Sequence, residues 1–147
     1  MKKQILTLAA ISMFSISMAQ DIPSSQVPSV ILNQFNKNFP KATDVEWEIK
    51  GNLYNVDFET GWNVDHEVWY NAEGKMTKHK EDISLKELPK AVHNKIKTNF
   101  KGYTIDDLKR ITDNGKVVYK MELNSLLNQD WDVIIDANGT ILSKIAD

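Results

Sequence analysis

The chain has 147 residues, with 18 Lys+Arg against 20 Asp+Glu, a formal net charge of −2 and no cysteine. The acidic balance makes nucleic acid and anionic membrane surfaces poor partners. The absence of thiols excludes disulfide stabilisation, lipidation, thiol catalysis and cysteine-ligated metals.

The N-terminus opens with Met1-Lys2-Lys3, followed by an apolar run from Ile5 to Met18 and then Ser17-Met18-Ala19 before Gln20. A positive start, a short apolar stretch and small residues at Ser17 and Ala19 predict a signal peptide over 1–19. The run is too short to span a bilayer comfortably, which takes roughly 20 apolar residues, so no membrane insertion is expected after cleavage. The mature chain is then exported, periplasmic in the first instance and extracellular as the alternative. Losing Lys2 and Lys3 makes it more acidic still.

The remainder overlays on itself. Val27, Pro28, Val30, Ile31, Phe35 and Phe39 recur as Leu88, Pro89, Ala91, Val92, Ile96 and Phe100, all 61 positions on. Their spacing from the first apolar residue places one stripe on a helix of period 3.6, so each segment is predicted as an amphipathic helix. Pro28 and Pro89 fit the first turns, and Pro40 and Gly102 stop the helices. Ser84 with Glu87 three residues later suggests a capping box or a short preliminary turn.

After each helix the period falls to 2. Val45, Trp47 and Ile49 alternate with Asp44, Glu46 and Glu48, while Tyr54, Val56 and Phe58 alternate with Asn55, Asp57 and Glu59. Next, Val64, His66, Val68 and Tyr70 alternate with Asp65, Glu67 and Trp69, and a short last strand follows near Lys75–His79. With turns at Lys50-Gly51-Asn52, Thr60–Asn63 and Asn71–Gly74, these read as four strands. The pattern returns 65 positions on in Tyr119, Met121 and Leu123 and in Trp131, Val133 and Ile135, so four residues are inserted between Phe100 and Val117. Alternation with one polar side predicts an antiparallel sheet with one face on the helices and the other open to water. The fold class expected is α+β: two tandem repeats, each one helix plus a four-stranded antiparallel sheet. Residues 20–82 and 83–147 form the two units of one compact domain.

A Pro-led helix ending in Phe-Pro, then Val-x-Trp, Tyr-x-Val-x-Phe and a strand closing on Asn71-Ala72-Glu73-Gly74, repeated through Leu88-Pro89, Phe100, Tyr119-x-Met121-x-Leu123 and Asp136-Ala137-Asn138-Gly139, resembles the PepSY-like, β-lactamase-inhibitor-like group of exported proteins. The likeness covers Ile22–Ile145. It implies units sharing one curved sheet with the helices on one face, a periplasmic or extracellular location, and a role in binding or restraining another protein such as an envelope enzyme. The matching residues lie in cores and turns, so the resemblance carries no inhibitory residues over.

No motif for nucleophilic catalysis or phosphate binding occurs, and the chain reads as a non-enzyme with no catalytic residues and no cofactor. His66 lies in the core-facing set of its strand and reads as a satisfied core histidine; His93 should face water and His79 sits near the junction of the units. Without His-x-His or His-x-x-x-His spacing, no metal site is expected.

Two surfaces remain. Glu46, Glu48, Asp57, Glu59, Asp65 and Glu67 all belong to the open side, together with Trp69. They form either a solvated face kept charged against aggregation or a surface attracting a basic protein segment or a cation. Trp62 lies at one strand-connecting loop and Leu126 and Leu127 at its counterpart; such side chains either fold back over the sheet or serve as interface anchors. The leading expectation is a binding module for a protein or peptide, with these ten residues as its contact set. The alternative is a small-ligand or cation-binding envelope protein using the acidic face. Partner identity and oligomeric state are not legible.

Overall fold

A computed structural model describes residues 20–147; the expected signal peptide over 1–19 lies outside the described residues. Nine strands run in chain order: β1 (Gln20–Ile22), β2 (Thr43–Lys50), β3 (Leu53–Thr60), β4 (Val64–Tyr70), β5 (Met76–Asp82), β6 (Thr104–Asp113), β7 (Lys116–Asn124), β8 (Trp131–Asp136) and β9 (Ile141–Ala146). Two helices, α1 (Ser29–Asn38) and α2 (Lys90–Asn99), follow β1 and β5. Every strand pairs antiparallel with its neighbour in sequence, giving one sheet in the order β1 to β9.

This corrects the expected fold class. The described residues form a single nine-stranded antiparallel sheet, mostly β, and not two repeats of a helix with its own four-stranded sheet. Two features of the pairing account for the difference. β5 and β6 hydrogen-bond directly, from Lys78↔Asp113 to Asp82↔Lys109, which joins what the alternation pattern had separated. Gln20–Ile22, ahead of the first helix, adds a ninth strand on β2, with Ile22 opposite Trp47. The helices have ten residues each, about 15 Å long at 1.5 Å per residue, so they are minor elements laid on a sheet that dominates the chain.

The apolar stripes pack as their spacing requires. Ile31 and Phe35 of α1 sit among Trp47, Val56, Phe58, Val68 and Tyr70. Val92 and Ile96 of α2 sit among Tyr119, Met121, Leu123, Val133 and Ile135. The two clusters stay distinct. Aromatic edges lock the first: Phe35 meets Trp47 and Phe58 edge-on, with ring centroids 5.3 and 5.0 Å apart. Each α-helix follows a single 3-10 turn and a proline, and before α2 the Ser84 amide donates to Glu87 Oε2 at 2.9 Å.

The sheet turns reach back under the helices. Gly139, at φ 87°, brings its Cα so near α2 that an added Cβ would lie 2.8 Å from the Ala91 carbonyl oxygen, and Gly74 approaches Val30 of α1 in the same way. The four inserted residues lengthen one hairpin. Thr104↔Asn124 and Ile111↔Val118 correspond to Thr43↔Glu59 and Lys50↔Leu53, after which β6 and β7 continue through Thr112↔Val117 and Asp113↔Lys116. Among the described residues, no helix is long and apolar enough to cross a membrane.

Candidate functional site

Because side chains alternate across a strand, the register decides which polar groups share the face away from the helices. Glu46 pairs with Asp57 and Asp57 with Glu67; Glu48 pairs with Asn55 and Asn55 with Trp69; Glu59 pairs with Asp65. The six carboxylates and Trp69 therefore lie on one face.

That face is not uniformly acidic. β5 places Lys78 and Lys80 opposite Trp69 and Glu67. Glu67 receives Lys80 at 2.8 Å and Lys50 at 3.2 Å, and Lys50 also reaches Glu48 at 2.9 Å. Burial alone would push the Glu67 carboxyl up, but the hydrogen bonds and charges of Lys80 and Lys50 outweigh it and hold Glu67 below the usual range. The ammonium groups of Lys80, Lys78 and Lys50 stand 4.9, 5.1 and 5.9 Å from the Trp69 ring centre, within cation–π range. Beneath them Asn55 is fully buried, donating to Glu67 Oε1 and the Val68 carbonyl.

The face is thus divided along its strands. Towards the β2–β3 turn lies a saturated network of lysines, Glu48, Glu67 and Trp69. Glu46 and Asp57 share the cross-strand row of Glu67, and Glu59 and Asp65 lie one row nearer the β3–β4 hairpin; these four form no ion pair among the described residues. Burial, and then the neighbouring Glu67 charge, pushes the Asp57 carboxyl up, the response of an acid short of cations.

Trp62 sits at the tip of that β3–β4 hairpin, 97% exposed; Leu126 and Leu127 in the β7–β8 loop are 102% and 93% exposed. None folds back over the sheet. Since β3, β5 and β7 run in one direction, the two loops leave the same end of the sheet, separated by four strand spacings or about 20 Å. Ser125 and Asp130 brace the leucine loop, the Ser125 amide donating to Asp130 Oδ1 and the Asn128 amide to Ser125 Oγ.

On the helix side, between the two apolar clusters, the register assembles a polar seam absent from the sequence reading. His66 stands opposite Glu81, two pairs along the ladder and so on the same face as Val68↔His79, and Glu81 stands opposite Arg110 of β6. His66 Nδ1 and His79 Nε2 are 3.0 Å apart, His66 Nε2 is 2.7 Å from Thr60 Oγ1, and Arg110 Nε donates to Glu81 Oε1 at 2.8 Å. Phe58 stacks on His66 at 4.9 Å and Phe39 meets His79 edge-on at 5.5 Å. Burial holds both imidazoles below the ordinary histidine value, so they are neutral near pH 7. No spacing motif could have found this group, because its members come from adjacent strands.

Two overlapping segments of the chain, residues 15–67 and 52–143, match the family described as “Putative beta-lactamase-inhibitor-like, PepSY-like”. No curated protein matches the chain. Among solved structures, the fold is similar to that of a DUF2874 family protein from Bacteroides uniformis, 19% identical with a TM-score of 0.66 over 81% of this chain and 88% of that one. It is similar also to one described as a “putative periplasmic” protein from Bacteroides eggerthii, 17% identical with a TM-score of 0.68, covering 82% and 88%. A BLIP-like protein from Bacteroides fragilis is 20% identical with a TM-score of 0.66, covering 85% and 87%. At these identities the likeness is one of fold.

Proposed function

Because this chain belongs to the PepSY-like, β-lactamase-inhibitor-like family, we propose that it is an exported, non-enzymatic binding module that engages a folded envelope protein through the end of the sheet carrying Trp62, Leu126 and Leu127. The observation that carries this reading is the near-complete exposure of three large apolar side chains at one end of the sheet. Isolated apolar residues on a surface need no explanation, but a tryptophan and a leucine pair presented on two loops at the same end form anchors of the type that dominates interfaces. Glu59 and Asp65 lie beside the Trp62 hairpin, with Glu46 and Asp57 one row further along the face. They favour a partner whose apolar pocket is bordered by lysine or arginine, since complementary charge accelerates encounter and fixes orientation.

The saturated half of the face, with Glu48, Glu67 and Trp69, serves as scaffold for this surface. Its charges are already partnered, and breaking them to bind a ligand would cost what those pairs contribute. The BLIP-like description of one structural neighbour and the periplasmic description of another fit a binding protein of the cell envelope.

The test is comparative capture from an envelope fraction by the wild type and by the Trp62→Ala/Leu126→Ala/Leu127→Ala variant, followed by titration of the captured protein against both. A partner retained by the wild type, weakened at least about tenfold by the triple variant and progressively by salt, is the expected result. Equal retention by both proteins would remove this reading.

A further inference from the structure

We propose that His66, His79 and Glu81 form a binding site for one divalent first-row transition-metal ion of the zinc type, on the helix side of the sheet at the seam between the two apolar clusters.

The donors converge. One ligand atom from each of the three residues lies within 4.8 Å of the other two. His66 and Glu81 are direct cross-strand partners, and His79 precedes Glu81 by two residues on the same face of β5, so all three side chains rise from two adjacent strands held rigid by pairing on both sides. Tetrahedral zinc with Zn–N bonds of about 2.0–2.1 Å sets its nitrogen ligands about 3.3 Å apart. His66 Nδ1 and His79 Nε2 are already 3.0 Å apart, and a parting of a few tenths of an ångström brings these two nitrogens to that spacing, with the Glu81 carboxylate swinging in as the third ligand.

The surroundings have the form that metal-bound histidines require. The outer nitrogen of a ligating imidazole is ordinarily held by a hydrogen bond that fixes tautomer and ring orientation. Thr60 Oγ1 occupies that position 2.7 Å from His66 Nε2. Phe58, stacked 7° from parallel on His66, and Phe39, against both rings, restrict the imidazoles to their present planes. Arg110 engages one oxygen of Glu81, and the carboxylate keeps a second for an ion. Two imidazoles and a carboxylate suit zinc, nickel or copper in preference to calcium or magnesium, which favour all-oxygen sets. Three protein ligands leave a fourth position for water.

The site lies on the face opposite the carboxylates of β2–β4, so its presence or absence is independent of the partner surface. The probe is Zn2+ alone, titrated calorimetrically into tag-free protein, with Co2+ absorption as a second measurement because tetrahedral cobalt has an intense visible spectrum that an octahedral, water-rich surface site lacks. One Zn2+ per chain is expected, with affinity lowered at least about tenfold by His79→Gln and by Glu81→Gln and unchanged by His93→Ala, whose imidazole lies exposed on α2. Circular dichroism of each metal-free variant checks that it folds. Should His79→Gln fail to fold, Glu81→Gln and the cobalt spectrum of the wild type decide. Absence of 1:1 binding, binding indifferent to Glu81→Gln, or loss of binding on His93→Ala would overturn the proposal and leave the seam a set of hydrogen bonds between two cores.

Discussion

Lys80 and Glu67 form an ion pair at the middle of the open face, 2.8 Å apart, with the same ammonium 4.9 Å from the Trp69 ring. Both side chains are about three-quarters shielded or somewhat less, so removing one partner costs more than it does in an exposed pair and less than it does in a fully buried one. Lys80→Ala also removes the aliphatic stem that covers the sheet. We expect a loss of about 1 kcal/mol, read as a lower urea midpoint at unchanged slope. Lys50 remains on Glu67 in that variant, so Lys50→Ala/Lys80→Ala should lose more than the two single losses added together, because only then is Glu67 left without a cation.

The loop anchors should behave in the opposite way. Trp62, Leu126 and Leu127 bury almost nothing, and removing them deletes no packing from the fold. Alanine at all three should leave the thermal midpoint within the scatter of ordinary surface substitutions, about 0.5 kcal/mol, and should lower retention on hydrophobic-interaction media. A marked fall in the midpoint would show that these side chains are structural after all.

Gly139 and Gly115 separate two costs that glycine substitutions usually mix. Both have positive φ, 87° and 83°, but a Cβ at Gly115 meets open space while one at Gly139 would lie 2.8 Å from the Ala91 carbonyl oxygen. Gly115→Ala should cost about 1–2 kcal/mol, the strain of a left-handed conformation. Gly139→Ala should cost about 3 kcal/mol or more, since a backbone atom of α2 must also move. Equal chemical-denaturation losses in the two variants would mean that the β8–β9 turn shifts away from α2 freely.

Periodicity made the core legible. Ile31 and Phe35, Val92 and Ile96, Val56 and Phe58, Met121 and Leu123 are all buried as their spacing requires, because burying one stripe or one strand face is what the repeating pattern encodes. The open-face carboxylates were legible for the same reason. Topology between the halves was not. β5 is half-buried along its whole length with no alternation in burial, and its residues Thr77 to Asp82 are polar or charged, so its pairing with β6 leaves no signature in hydrophobic pattern. The same blankness hid Lys78 and Lys80 from the reading of the face as acidic, and it hid the His66–His79–Glu81 group. A three-residue β1 is likewise too short for a period to show.

Tyr70 gives the fold a dependence on alkaline pH. It is fully buried beneath α1, and burial pushes its phenol up to about 12 from 10.0. Asn38 lies near enough to pull slightly the other way, but no hydrogen bond of good geometry forms and the hydroxyl has no partner among the described residues. The folded state thus holds the phenolic proton more tightly than the unfolded chain. The resulting stability is complete below pH 10 and is lost as pH rises towards 12, by about 2–3 kcal/mol in all. Lys50 and Lys109 are also held above their ordinary value and lose charge in the same window, so the wild-type curve alone does not isolate the tyrosine. The difference between wild type and Tyr70→Phe does. Below pH 9 the phenylalanine variant should be as stable as the wild type or up to about 1 kcal/mol more so, since a buried hydroxyl without a partner is removed. Between pH 10 and 12 its denaturation midpoint should fall less steeply. Parallel curves across that range would show that Tyr70 ionises as an exposed tyrosine does, and that the base of the first core is open to water.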